Sequence, residues 1–104
     1  MTIDIVLTDN AKSALARIHD WYRENYGDTP QVFVDELARA LDLLRMLPGV
    51  GPPYLSAGPP HLHRLLLRKT QHHIYYEYLP GDSVLTVITV WRCRRGGPPD
   101  LSRP

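Results

Sequence analysis

The chain predicts an α+β fold in the order β-α-α-β-β-β, with a helical hairpin packed on one face of a small, mostly antiparallel sheet. Three observations carry that expectation. From Leu62 to Arg95, β-branched and aromatic residues crowd short runs separated by turn formers. The first half instead places apolar residues at helical spacing. Between the halves, Pro48 to Pro60 holds five prolines and three glycines, a composition that neither continues a helix nor joins a ladder interior.

In chain order, Ile3-Asp4-Ile5-Val6-Leu7 is a short strand signal, and Thr8 or Asp9 offers an N-cap behind it. Ala11, Ala14, Leu15, Ile18 and Tyr22 then form an apolar stripe, with Gly27 available to end the helix. Thr29-Pro30 reads as a cap followed by proline at the first helical position. Phe33, Leu37, Ala40, Leu41 and Leu44 mark a second stripe that stops before Pro48-Gly49. The short link predicts an antiparallel helix pair. Beyond the connector, Leu62 to Gln71, His72 to Leu79 and Val84 to Trp91 read as an antiparallel meander, its second link being Pro80-Gly81-Asp82-Ser83. Alternation places Ile74, Tyr76 and Tyr78 on one face and His73, Tyr75 and Glu77 on the other. Both faces carry large apolar groups, so the helices cover one and something else must cover part of the second.

Length and composition narrow the function classes. At 104 residues and 11.9 kDa the chain is expected to be one domain, 1–104, with 48–60 as connector and 96–104 as a loosely held tail. No run approaches the roughly 18 apolar residues of a membrane span, and no signal-peptide layout opens the chain, which predicts a cytoplasmic protein. Cys93 is the single cysteine, so no internal disulfide forms. Residues 1–50 hold eight acidic side chains against five basic, and residues 51–104 three against seven. The sheet half is the electropositive half. A net charge of +1 and an acidic first half count against a dedicated nucleic-acid track.

The strand–helix–helix opening, the run Arg64-Leu65-Leu66-Leu67-Arg68-Lys69-Thr70, the following His73-Ile74-Tyr75-Tyr76 and the closing Val87-Ile88-Thr89-Val90-Trp91-Arg92 with Arg94-Arg95 resemble the RelE/ParE superfamily of toxins from bacterial type II toxin–antitoxin systems. The likeness covers roughly residues 3–99 and rests on the order of elements together with a basic, aromatic sheet. It implies one of two activities. RelE-like members are ribosome-dependent endoribonucleases that cut mRNA in the decoding site, whereas ParE-like members bind and inhibit DNA gyrase.

RNA cleavage by an adjacent 2′-hydroxyl requires a proton acceptor, a proton donor and cations for the charge developing on the phosphate. Arg64, Arg68, Lys69, Arg92, Arg94 and Arg95 supply cations. Proton carriers are scarcer. Where the nuclease branch commonly carries a His or Tyr at the end of the last strand, this chain has Arg94 and Arg95, and arginine does not act as a base near neutral pH. His73, with Glu77 on the same face, and His63 are the fallback. A nuclease reading would thus use Arg64, Arg68, His73, Arg92 and Arg94, while a gyrase inhibitor would bind its target through Arg92, Arg94 and Arg95, supported by Arg64 and Arg68. The resemblance therefore favours the ParE-like branch.

Each residue also has a plain structural role. The arginines can be a solvated edge that meets an acidic antitoxin. His61, His63, His72 and His73 have zinc-ligand chemistry without a carboxylate or cysteine set beside them, so neither metal nor cofactor is expected. The implied partner is an antitoxin whose acidic, amphipathic C-terminal segment covers the toxin in a hetero-oligomer, with Leu66, Tyr75 and Trp21 as candidate contacts.

Overall fold

The computed structural model describes residues 3–26, 31–55 and 60–93. Strand β1 (Asp4–Leu7) leads into helix α1 (Asp9–Tyr26) and helix α2 (Gln31–Met46), followed by β2 (Leu62–Leu67), β3 (His72–Glu77) and β4 (Val84–Arg92). The sheet order is β1-β4-β3-β2. The meander pairs antiparallel as its turn residues require, and β1 joins the far side of β4 in parallel, Asp4 opposite Val84 and Leu7 opposite Val87. The expected cap and proline at Thr29-Pro30, the helix stop at Gly27 and the tail from Arg94 onward lie outside the described residues.

Of the two cap candidates, Thr8 is the one used. Its hydroxyl oxygen accepts from the Ala11 N–H at 3.1 Å and donates its own proton to the Ile88 carbonyl at 2.8 Å, while its N–H reaches the Val87 carbonyl at 3.1 Å. One side chain thus caps α1 and ties its start to β4. Thr8→Ala is expected to lose about 1–2 kcal/mol, read as a lower urea midpoint at unchanged slope.

Both helices cover the same face. Leu44, Phe33 and Ala11 close over Leu67, Ile74, Tyr76, Leu85, Val87 and Val90. α1 lies on β4 and β1, α2 on β1 and β2, and Tyr22 stacks on Phe33 between them at 6.1 Å. On the opposite face Leu62, Tyr75 and Ile88 are buried with Tyr54 and Trp91 against them. Tyr54 belongs to the connector, which is therefore part of the cover that the second face demanded. Its backbone runs along the edge of β2: the Tyr54 N–H donates to the Leu62 carbonyl, and the Arg64 N–H to that of Pro52. Pro53 lies opposite His63 in an isolated bridge at this edge, where a missing N–H costs no ladder bond.

Gly51 makes that strap possible. Its N–H donates to the Tyr76 hydroxyl at 2.9 Å, and its carbonyl accepts from His63 Nδ1 at 2.8 Å. A Cβ here would stand 2.7 Å from the Tyr76 oxygen, and Tyr76 is fully buried and has nowhere to go. Gly51→Ala is expected to cost about 1–3 kcal/mol by overpacking, measured by urea denaturation.

Strand β4 contains an irregularity that its pattern does not announce. Tyr75 faces Thr89 but Tyr76 faces Val87, so Ile88 is an extra residue. The bulge shifts the alternation by one: Leu85 and Val87 point to the helices before it, Val90 after it, and Ile88 and Trp91 to the other side. Everything at the strand end is re-aimed.

Candidate functional site

Because of that shift, Arg92 turns to the helix side, where its guanidinium lies 4.2 Å over the Trp21 ring of α1. His72, the register partner of Arg92, is buried beside it with its ring 4.9 Å from Phe33. Burial, then the Arg92 charge, push the His72 imidazole down to about 4, so it is neutral at physiological pH.

Arg64 emerges on the opposite face. It stacks over the Tyr54 ring at 4.8 Å, and Tyr54 meets Tyr75 edge-on at 5.2 Å. Burial raises the Tyr75 hydroxyl above its usual value, and hydrogen bonding from Arg64 offsets part of that rise. His73 is next in line, its ring 6.0 Å from Tyr75 and its Nδ1 3.3 Å from the Cys93 sulfur. Burial and the Arg64 charge lower its pKa. Arg68 and Leu66 border the same groove with Pro52 and Tyr54.

The predicted cations are thus divided. Arg64, Arg68 and His73 line one groove, Arg92 stands on the helix side, and Arg94 and Arg95 lie outside the described residues. His73 and Glu77 share a face but lie roughly 13 Å apart along the strand, too far for direct proton exchange. His63 is on the helix side, stacked on Tyr76 at 5.1 Å, and serves the Gly51 strap. Among the antitoxin contacts expected, Leu66 is 38% exposed and Trp21 half-buried, whereas Tyr75 is only 3% exposed. Tyr54 and Arg64 cover Tyr75, so a partner meets them first. Among the described residues no three His, Cys, Asp or Glu side chains gather as metal ligands, and no helix is long and apolar enough to cross a membrane.

Tyr54 and Glu36 escaped sequence reasoning. Tyr54 had a signal, as the aromatic in a proline-rich connector. Glu36 had none: its carboxylate reaches from α2 to the β2–β3 turn, accepting from the Lys69 N–H, the Thr70 N–H and the Thr70 hydroxyl at 2.7, 3.0 and 2.6 Å. Burial would raise its pKa, but those hydrogen bonds and the Lys69 charge outweigh it and hold the carboxyl below its ordinary value.

A family model described as the ParE toxin of the type II toxin–antitoxin system parDE matches residues 5–96. Among solved structures, one of the chromosomal ParDE system from P. aeruginosa superposes with a TM-score of 0.67 at 17% identity, covering 86% of this chain and 95% of that one. A mutant E. coli RelE toxin in the free state gives 0.61 at 18% identity, covering 90% and 86%. A chain of the intact E. coli RelBE toxin–antitoxin complex gives 0.61 at 16% identity, covering 89% and 99%. No curated protein is matched by sequence.

Proposed function

We propose, since the chain belongs to the ParE toxin family of type II toxin–antitoxin systems, that it arrests growth by binding and inhibiting DNA gyrase and is neutralised by a cognate antitoxin. The family match over residues 5–96 carries this reading. The division of the cations supports it. A nuclease needs several cations and a proton carrier at one phosphate, whereas a binding protein can use Arg92 and the strand end apart from Arg64.

The antitoxin segment is expected at the end of β2, around residues 65–69 beside α2, beyond the part of the edge that the connector occupies. Leu66 and Leu43 expose apolar surface beside Arg39, Arg68 and Lys69, a combination suited to an acidic amphipathic segment. Its association rate should fall as salt rises, because rim charges act mainly on encounter.

One observation favours a second reading, ribosome-dependent mRNA cleavage: a neutral imidazole at His73 shares a groove with Arg64 and Arg68. Induction in cells separates the two. Gyrase inhibition predicts a DNA-damage response, loss of supercoiling by purified gyrase, and full activity in His73→Asn. Ribosome-mapped mRNA cuts with supercoiling intact, abolished by His73→Asn, would overturn it.

A further inference from the structure

Between α1 and the end of β4 lies a half-open cavity of about 300 Å³, walled by Ala14, Ile18 and Val90 and bordered by Trp21, with Arg17, Arg92 and His72 completing its lining. That volume is at the lower end of small-molecule sites. Among the described residues, neither Arg17 nor Arg92 is ion-paired with a carboxylate. His72 is 2% exposed; the Thr70 backbone lies near enough to favour its charged form, but its Nδ1 is buried without a hydrogen bond of good geometry. Cations without a carboxylate partner, an aromatic ring that Arg92 stacks on and a buried ring nitrogen thus line one half-open space.

We infer that this cavity binds a small carboxylate carried on a flat apolar body, with Arg92 and Arg17 holding the carboxylate while Trp21, Ile18 and Val90 enclose the body. A guanidinium fork matches a planar carboxylate, and the apolar walls leave little that would solvate a more highly charged group. A hydroxyl or ring N–H on the body could donate to His72 Nδ1. Since burial and Arg92 keep His72 neutral, the positive charge at the cavity resides on the guanidinium groups, which an anion would meet. The inference does not depend on which target the toxin inhibits.

The test titrates the methyl-labelled chain with indole-3-acetate, its neutral amide indole-3-acetamide, and phenyl phosphate, following the Ala14, Ile18 and Val90 methyl signals. Saturable shifts confined to those methyls are expected with indole-3-acetate, at least tenfold weaker with the amide and in Arg92→Gln or Arg17→Gln. Equal binding of acid and amide, tighter binding of phenyl phosphate, or no saturable shift would each overturn the assignment. The acid–amide comparison uses the unaltered chain, so it stands even if a variant fails to fold.

Discussion

Replacing Arg92, Arg94 and Arg95 together by alanine is expected to abolish growth arrest, raising survival after induction by about a hundredfold or more. Each charge-assisted contact to a target is worth roughly 1.5–3 kcal/mol, so three lost together exceed the binding difference needed for that effect. The fold should survive. Arg92 contributes its stacking on Trp21, worth about 0.5–1 kcal/mol at a half-exposed position. Arg64→Ala and Arg68→Ala, on the other face, should weaken arrest less. The readouts are viable counts after induction and far-ultraviolet circular dichroism of the purified variants. Full arrest by a folded triple variant would remove the strand end from target binding.

Acidification is expected to destabilise the protein by about 3 kcal/mol through His72 alone. The folded state depresses this imidazole from 6.5 to about 4, so the unfolded chain takes up the proton first. Stability is therefore full above the unfolded value and drains away as pH falls from 6.5 toward about 4. Glu36 acts in the same direction at lower pH. Its folded pKa is held below the ordinary 4.5, so its contribution is present above that value and is lost as pH falls through the folded one. Urea midpoints measured across this range should fall with acid. His72→Phe should flatten the upper limb, and Glu36→Gln the lower; an unchanged slope in His72→Phe would assign the acid sensitivity elsewhere.

These predictions also separate what the sequence discloses from what it conceals. The helices were legible because Ala11, Ala14 and Phe33, Ala40, Leu44 recur at a period that local geometry fixes, and they are the residues found buried. The meander was legible from its turn chemistry, with Gly81 at φ 95° where a side chain would be strained. The bulge at Ile88 was not. In Val87-Ile88-Thr89-Val90-Trp91 both faces are largely buried, and Thr89, the one polar residue, is buried as well, so no exposed polar position marks where alternation slips. That slip decides that Arg92 leaves the Arg64 groove, and the candidate site could not be read without it. Glu36 escaped for another reason. A carboxylate on an amphipathic helix looks the same whether it meets water or a turn some thirty residues away, and only the fold brings it to Lys69 and Thr70.

The parallel pairing of β1 with β4 has a consequence for biosynthesis. Asp4 finds its neighbour only at Val84, so the first strand emerges from the ribosome long before the strand it must lie against. Until then β1 has no hydrogen-bonding partner, α1 has no Ile88 carbonyl to which Thr8 can anchor, and Arg92 has not reached Trp21. The nascent chain therefore cannot assemble the surface made by Trp21 and Arg92 until β4 has left the ribosome, which makes that surface one of the later parts of the fold to form.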